Sequence, residues 1–212
     1  MSSGHGDTPP CSTGALKTWA RPLFSFDRDA TIDARLKPSS PSALSPAPGI
    51  FVFPLLTESF CRRIVWLHDL IDSFVPDPDD PYPGREFRAD QVKPFEAVIK
   101  EVFTRGVAPA LDALYGFSVT DIVDCFVLRY SPDTQAGMAE HFDHASDLSL
   151  VVPLNAGFDG GGLVFPRQGW ITTNVPIGHA VSFPGRVTHP HYAADVTGGV
   201  RFSQTWWLAG AG

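Results

Sequence analysis

Cysteine is scarce in this chain of 212 residues: Cys11, Cys61 and Cys125 are widely spaced and form no C-x-x-C pair. Their odd number and spacing argue against a disulfide framework and against a zinc–cysteine site. The N-terminus lacks a basic segment followed by an apolar one, and nowhere does the sequence run for about 18 apolar residues without interruption. These absences argue against membrane association and predict a reducing, soluble compartment, for which we expect the cytoplasm.

Basic residues are also in the minority, with 16 Lys and Arg against 23 Asp and Glu and a formal net charge of -7. Because nucleic-acid-binding proteins usually carry a basic face, we expect no nucleic-acid partner. An acidic protein suits a neutral or cationic substrate better than an anionic one. The length allows one sizeable core and is short for two domains.

Proline and glycine, by contrast, are abundant, with 20 and 19 residues, and they favour a β-rich fold with many turns. Residues 1–48 are rich in proline, serine and glycine, and we interpret them as a partly flexible N-terminal extension. We expect residues 49–212 to form the single folded domain.

The pattern then predicts two helices followed by a series of strands. "IFVFPLL" (50–56) suits a strand, and Thr57 is a plausible N-cap of the helix that follows. Apolar residues at spacings of three and four predict a buried stripe on this helix; they are Phe60, Ile64, Leu67, Ile71 and Phe74. A second helix is expected over about 92–114, after a Pro- and Asp-rich loop at 75–90. About seven or eight short β-type runs come next, which predicts a β-sandwich or barrel with a helical flank.

One cluster among these runs has the chemistry of a metal site. In "EHFDHASD", His141 and Asp143 are two residues apart, and on an extended strand both side chains project to the same face. Joined by a distant histidine, they would form the two-histidine, one-carboxylate set that binds Fe(II) and leaves coordination positions open. The H-x-D pattern also occurs by chance, and a surface turn in which Asp143 caps the backbone is the alternative.

A histidine that could complete the set lies in "GRVTHPHYAADVTGGVRFS" (185–203), which contains His189, His191 and Arg201. A hairpin folded about "DVTGG" would place His191 opposite Arg201 on one sheet face, with His189 diagonal to the arginine. This register favours His191 as the ligand and His189 as a supporting residue. The guanidinium of Arg201 would grip a carboxylate in a bidentate manner, and Ser203, on the same face, would donate a hydrogen bond to it.

Several linked motifs resemble a known family. "FVLRYSPD", "HFDHASDLSLVVPLN", "DGGGLVFP", "PGRVTHPH" and "GGVRFS" resemble the iron and 2-oxoglutarate dependent dioxygenases, in particular the catalytic domain of the procollagen lysyl hydroxylases and the related prolyl 4-hydroxylases. "FVFPLLTESFCRRIV" resembles the opening of that domain, so the resemblance covers about residues 50–208. The stretch after "GGGLVFP" departs from the collagen-modifying enzymes, and their large additional domains are lacking. We therefore expect a substrate other than collagen.

The resemblance implies a fold and a site. The fold would be mainly β with flanking helices (α+β), a double-stranded β-helix of the jelly-roll, cupin-like type. The ligands of Fe(II) would be His141, Asp143 and His191. Arg201 would bind the distal carboxylate of the co-substrate 2-oxoglutarate, Tyr130 would donate its hydroxyl to the same molecule, and Asn155 would line the pocket. Ascorbate (vitamin C) is a further cofactor that the resemblance suggests.

The implied activity is hydroxylation of an unactivated C–H with O2 and 2-oxoglutarate, releasing succinate and CO2. We expect the substrate to be a lysine or proline side chain, in a peptide or as the free amino acid; Glu140, Asp147 and Asp159 would suit a cationic lysine. Two alternatives stay open: a hydroxylase of another small molecule in specialised metabolism, and a non-catalytic jelly roll that senses metal or 2-oxoglutarate. A zinc hydrolase would leave Arg201 without a purpose.

Other notable residues have structural interpretations. His144 is expected on the opposite strand face from the ligands, and "GGG" (160–162) in a tight turn that requires positive φ. Trp206 and Trp207 alternate on the last strand, so one is expected in the core and the other is a candidate for substrate stacking.

Overall fold

The computed structural model describes residues 24–71 and 85–211; Cys11, Phe74 and most of the 75–90 loop lie outside these ranges. The described α-helices are α1 Arg28–Thr31, α2 Glu58–Leu70, α3 Lys93–Val102 and α4 Ala108–Tyr115. A 3-10 turn, Ala89–Gln91, precedes α3, and a π-helical turn, Phe103–Val107, joins α3 to α4. No helix within the described ranges is both long and apolar enough to span a membrane.

The β part consists of two main antiparallel sheets. The strands are β1 Leu44–Ala47, β2 Ile50–Pro54, β3 Arg85–Arg88, β4 Val119–Tyr130, β5 Met138–His141, β6 Leu148–Pro153, β7 Asp159–Gly160, β8 Leu163–Phe165, β9 Trp170–Ile171, β10 His179–Pro184, β11 His191–Ala193, β12 Val196–Gly198 and β13 Arg201–Gly210. The major sheet has the order β1-β2-β10-β6-β13-β4-β3, and the minor sheet has the order β5-β11-β8-β9. β7 and β12 pair separately.

The helices cover the outer face of the major sheet. Thr57 caps α2 as predicted, since its side chain accepts a hydrogen bond from the backbone N–H of Phe60 at 3.2 Å. Phe60, Ile64 and Leu67 of the predicted stripe are fully buried in the core between helices and sheet. The expected second helix is present but interrupted by the π-helical turn. With its outer face covered, the major sheet keeps its inner face for a cavity.

Strand β13 shows how the sequence divides the two faces. Phe202, Trp206 and Leu208 point into the helical core, which confirms that one of the two tryptophans is buried there. The alternate residues Arg201, Ser203, Thr205 and Trp207 line the inner cavity. Because strand side chains alternate between faces, one continuous strand builds both the core and the site.

The minor sheet packs against the inner face of the major sheet. Val151 and Val181 of the major sheet share a buried apolar cluster with Leu163 and Phe165 of β8. Of "GGG", Gly160 ends β7 and the other two connect it to β8; the three glycines have φ of 72°, 69° and 100°, the positive values that the sequence predicts. Two facing antiparallel sheets with helices outside confirm the predicted jelly roll.

The pairing around His191 differs from the predicted hairpin. β11 pairs with β5 and β8 of the minor sheet, whereas β13 pairs with β4 and β6 of the major sheet. The direct partner of His191 is His141, and that of Arg201 is Tyr130. The hairpin prediction was wrong because "DVTGG" contains the whole of the short strand β12, which pairs with β7 and leads the chain from one sheet to the other.

Residues 24–47 belong to this fold. Phe24, Ile32 and Leu36 are buried in the helical core, and β1 pairs with β2 at the edge of the major sheet. The division into a flexible extension and a domain stays a prediction for residues 1–23, which lie outside the described ranges.

Candidate metal centre and its cavity

Three side chains with metal-binding atoms converge between the sheets. His141 ends β5 and His191 begins β11, and their ring centroids are 4.5 Å apart. The carboxylate oxygens of Asp143 lie 3.6 Å from Nε2 of His141 and 3.7 Å from Nε2 of His191. One candidate ligand atom from each of the three lies within 4.8 Å of the others. The fold therefore brings together the three residues expected to bind iron.

Both histidine rings are oriented by a hydrogen bond to the backbone carbonyl two residues earlier. Nδ1 of His141 lies 2.8 Å from the carbonyl oxygen of Ala139, and Nδ1 of His191 lies 3.0 Å from that of His189. Since a carbonyl oxygen only accepts, each Nδ1 carries the proton and each Nε2 keeps a lone pair for a metal. Burial lowers the pKa of His191, which favours the neutral ring that a metal requires.

Asp143 is positioned by a turn and not by a strand. β5 ends at His141, and the backbone N–H of Ser146 donates to the carbonyl of Asp143 at 2.9 Å. The prediction that Asp143 shares an extended strand with His141 was wrong, although both side chains still meet. The buried hydroxyl of Ser149 on β6 donates to Oδ2 of Asp143 at 2.5 Å. This bond fixes the orientation of the carboxylate, whose Oδ1 faces His141 and whose Oδ2 faces His191.

This donor set fits divalent iron. Two imidazole nitrogens and one carboxylate oxygen are the facial ligands of non-haem Fe(II) oxygenases, and they leave positions open for other ligands. Within the described ranges, no further histidine, cysteine or carboxylate joins the group. The open positions would therefore be filled by molecules that enter the cavity.

Arg201 is a buried cation on the wall of the same cavity. Only 4% of its surface is exposed, and its guanidinium carbon lies 5.2 Å from the ring centroid of Tyr130. Burial lowers the pKa of Arg201, and the guanidinium forms no ion pair with a carboxylate of the described residues. A buried charge without a counter-ion is costly. An anionic ligand in the cavity would remove that cost.

Tyr130 and Ser203 border the same space as Arg201. Burial raises the pKa of Tyr130 to about 12, so its hydroxyl stays protonated and able to donate at neutral pH. Ser203 is 2% exposed and lies on the same face of β13 as Arg201. Both hydroxyls are available to an anion held by the guanidinium.

Asn155 lies elsewhere. Its amide nitrogen donates to the carbonyl of Val200 at 2.7 Å, and its amide oxygen accepts from the backbone N–H of Phe202 at 2.7 Å. Asn155 borders a second cavity of about 310 Å³, which Arg201 also lines from its other side. The amide is thus engaged by the backbone on either side of Arg201.

The metal triad and Arg201 line a cavity of about 530 Å³ between the two sheets. β3 and β5 contribute Glu86, Arg88 and Glu140 to its lining. Arg88 lies 3.3 Å from Glu86 and also forms an ion pair with Asp124. These four residues, called the acidic wall below, combine three carboxylates with one guanidinium. Sequence reasoning missed β3, although the alternation of Glu86 and Arg88 around buried Phe87 is a strand signal.

Of the acidic residues expected near the substrate, only Glu140 lines this cavity. Asp147 instead binds Arg186 at 2.6 Å and the backbone N–H of Gly210 at 3.0 Å. Asp159 is exposed on β7. Asp147 and Asp159 are therefore close to the motif in sequence but do not line the cavity.

Aromatic and imidazole groups complete the lining. Trp207 packs edge-on against Phe126 with ring centroids 5.4 Å apart, and both line the cavity. Trp207 is thus available for the stacking role considered from the sequence. His144 also lines the cavity and lies in the turn after β5, so the prediction that it faces away was wrong.

His189 lies outside the metal group. Its ring bridges the hydroxyl of Thr188 at 2.8 Å and the carbonyl of Pro48 at 3.0 Å, while its own carbonyl orients His191. A Cβ at Gly49 would lie 2.8 Å from this ring, so the β1–β2 turn needs glycine there. His189 therefore connects the β1–β2 turn to β11, the strand that begins with the metal-binding candidate His191, and this fits the supporting role predicted for His189.

Comparison with known proteins gives relatives of one kind. Procollagen-lysine,2-oxoglutarate 5-dioxygenase 1 of Mus musculus is 30% identical over 181 residues, which cover 74% of this chain and 23% of that protein. The chain thus spans less than a quarter of the length of this relative. No family model matches the chain.

Solved structures share the fold. A prolyl-4-hydroxylase of Pseudomonas putida has a TM-score of 0.57 at 20% identity and covers 77% of this chain and 94% of its own. The non-heme alpha ketoglutarate dependent carbocyclase SnoK from nogalamycin biosynthesis has a TM-score of 0.58 at 13% identity, with coverage of 80% and 86%. At such identities the likeness supports the fold alone.

Sequence, fold and site agree. The curated relative matches most of the chain, the two sheets form a jelly roll, and the fold groups two histidines and an aspartate beside a buried arginine. The chain therefore belongs to the iron and 2-oxoglutarate dependent dioxygenase superfamily, and over most of its length it is similar to a procollagen-lysine dioxygenase.

Proposed function

We propose that the protein is an Fe(II)- and 2-oxoglutarate-dependent dioxygenase that hydroxylates an unactivated C–H. The observation that carries this proposal is the buried Arg201, a cation without a counter-ion in the described chain, on the same cavity as His141, Asp143 and His191. A metal triad alone would also serve a hydrolase, but an anion-seeking arginine beside it suits a dicarboxylate co-substrate. Bound iron and 2-oxoglutarate supply O2 activation coupled to oxidative decarboxylation, with succinate and CO2 as products.

The residues of the chain then have separate tasks. His141 and His191 would hold the metal through Nε2, and Asp143 would hold it through its carboxylate, which the hydroxyl of Ser149 orients. Arg201 binds the distal carboxylate of the co-substrate as a charge-assisted pair. The hydroxyls of Tyr130 and Ser203 donate to the same carboxylate. The binding of 2-oxoglutarate thus neutralises a charge that folding leaves buried.

We propose the side chain of lysine, free or in a peptide, as the first choice of substrate. Of the acidic wall, the carboxylates of Glu86 and Glu140 and the guanidinium of Arg88 line the cavity, and Arg88 is already paired with Glu86 and Asp124, which favours a cation in this part of the cavity. The name of the mouse relative also refers to lysine. A proline ring is the second choice, since Phe126 and Trp207 form an apolar corner in the same cavity.

Another small molecule of specialised metabolism is the alternative substrate. The fold neighbour SnoK belongs to nogalamycin biosynthesis, which supports a cavity of this type for small molecules. The cavity of about 530 Å³ lies within the usual range for such ligands. A small-molecule substrate would be distinguished from a peptide by its own turnover.

A turnover screen tests the proposal. Iron-loaded protein is incubated with 2-oxoglutarate, O2 and free amino acids, lysyl peptides and prolyl peptides, and both succinate and a mass gain of one oxygen atom are measured. We expect both with at least one candidate, and loss of both in His141→Ala and Arg201→Ala. The exposed Arg105→Ala is the matched control and should keep full turnover. Iron-loaded protein that binds 2-oxoglutarate but forms no succinate with any substrate would instead point to the non-catalytic sensor.

A further inference from the structure

Arg201 lies beyond the end of β6, so on that side β13 has no neighbouring strand at this residue. β6 ends at Pro153, which is the register partner of Ser203. Beyond it, Leu154 donates its N–H to the carbonyl of Phe202 at 3.0 Å. The next support for β13 is the side chain of Asn155, bonded at 2.7 Å to the carbonyl of Val200 and at 2.7 Å to the N–H of Phe202.

The side-chain amide of Asn155 forms the two hydrogen bonds that a peptide group of a neighbouring strand would form with β13. A carboxamide has one acceptor and a donor, as a peptide group does. The carbonyl of residue 200 and the N–H of residue 202 point to the same side of an extended strand, and they flank Arg201. On the opposite side Arg201 is the register partner of Tyr130. Beside the bond from Leu154 to Phe202, the Asn155 amide therefore supplies the two further bonds that hold the backbone on this side of Arg201.

The side chain of Arg201 has little freedom to compensate for a backbone shift. A Cβ at Gly161 would lie 3.1 Å from Cδ of Arg201, so the aliphatic stem lies close against that glycine. On another side the guanidinium lies over the ring of Tyr130. With the stem confined in this way, the position of the backbone decides where the guanidinium meets a ligand.

We propose that Asn155 is a positioning residue for the dicarboxylate co-substrate: it sets the affinity for the distal carboxylate through the backbone of Arg201, without touching the ligand. This inference rests on the proposed function, because it assumes that Arg201 binds 2-oxoglutarate. It assigns Asn155 a different task from the pocket-lining role expected from the sequence. The metal triad lies on other elements and does not depend on this amide.

The test uses Asn155→Ala in the full chain loaded with Mn(II), studied by anaerobic calorimetry. We expect the dissociation constant of 2-oxoglutarate to rise about tenfold, in the range typical of lost outer-shell contacts. The affinities for Mn(II) and for oxalate, which chelates metals but has no distal carboxylate, should stay unchanged. Asn174→Ala is the matched control, because Asn174 is the second of the two asparagines in the sequence and its side chain lies exposed in a turn. An unchanged affinity for 2-oxoglutarate, or an equal loss for oxalate, overturns the inference.

A double-mutant cycle of Asn155 and Arg201 distinguishes a positioning role of Asn155 from a general loss of structure in its variant. In the Arg201→Ala background, Asn155→Ala should cause no further loss of 2-oxoglutarate affinity, because the two changes remove one interaction. Additive losses overturn the inference. If Asn155→Ala does not fold, Asn155→Ser keeps a small polar side chain that is too short to bond both Val200 and Phe202, with the same expectations. Wild-type protein that binds no 2-oxoglutarate overturns the proposed function itself, which is a distinguishable result.

Discussion

At the scale of single residues, the site depends on side chains that orient other side chains. His141 and His191 present Nε2 because the Nδ1–H of each ring donates a hydrogen bond to the backbone carbonyl two residues earlier. The carboxylate of Asp143 is held in its orientation by the hydrogen bond from Ser149. The metal triad could be predicted from "EHFDHASD" and "THPH", whereas Ser149 could be suspected only as a lone polar residue within the apolar run "LSLVV".

Ser149→Ala should weaken metal binding. Without the hydroxyl, Oδ2 of Asp143 is left buried without its donor, and the carboxylate is free to turn. We expect about a tenfold rise in the dissociation constant for Mn(II), measured by calorimetry. Ser149→Thr should restore the affinity, and Ser118→Ala, at an exposed position, should leave it unchanged. Metal affinity that is the same in Ser149→Ala as in wild type contradicts the role assigned to the hydroxyl.

Tyr130→Phe should weaken binding of 2-oxoglutarate and leave metal affinity intact. A hydrogen bond to a charged group contributes about 1.5–3 kcal/mol, so its loss predicts about a tenfold rise in KM for the co-substrate. The matched change is Tyr115→Phe: the hydroxyl of Tyr115 donates to the carbonyl of Gly49 at 3.0 Å, and Tyr115 does not line the cavity. Tyr115→Phe should lower the melting temperature and not raise KM. Equal effects of the two changes on KM would refute the assignment of Tyr130.

At the scale of elements, local patterns were predictable and long-range pairing was not. The cap at Thr57, the stripe of α2 and the alternation of β13 follow from spacing alone. The partner of β11 does not, because register is set by contacts between segments far apart in the sequence. β3 was missed since it follows a Pro- and Asp-rich segment that resembles a loop throughout, and the backbone task of Asn155 depends on where β6 ends.

Asp147 gives an element-scale prediction about pH. It accepts from the backbone N–H of Gly210 and binds Arg186, and these bonds, the first above all, lower its pKa. A carboxyl whose pKa is lower in the folded state contributes stability above its unfolded pKa, about 3.9, and loses it as pH falls through the folded value. The melting temperature of Asp147→Asn should therefore be below that of wild type at pH 7, with the gap closing below pH of about 4. A gap that stays constant across this range contradicts the prediction.

At the scale of the whole molecule, two sheets enclose one cavity and give it two unlike parts. One part holds the metal triad and a buried arginine, and the other holds the acidic wall and the Phe126–Trp207 corner. Acidic composition suggested a cationic substrate, and the cavity lining takes Glu140 from beside the motif and Glu86 from the distant β3, but neither Asp147 nor Asp159. Ascorbate and a cytoplasmic location stay predictions.

Neutralising the acidic wall should alter selectivity for the substrate. Glu86→Gln and Glu140→Gln each remove one carboxylate from the cavity and keep the side-chain shape. If lysine is the substrate, KM for lysine should rise several-fold, by about 1 kcal/mol for each exposed charge pair. The KM for 2-oxoglutarate should not change. Unaltered selectivity between lysyl and prolyl substrates in both variants contradicts recognition by the wall.

The central claim is that one cavity binds iron and 2-oxoglutarate together, and anaerobic titration tests it most directly. Fe(II)-loaded protein is titrated with 2-oxoglutarate while the absorption spectrum is recorded. The account predicts a weak metal-to-ligand absorption band in wild type, the same band at higher 2-oxoglutarate concentrations in Arg201→Ala, and none in His191→Ala. Wild-type protein that is shown to contain iron and still gives no band at saturating 2-oxoglutarate would contradict it.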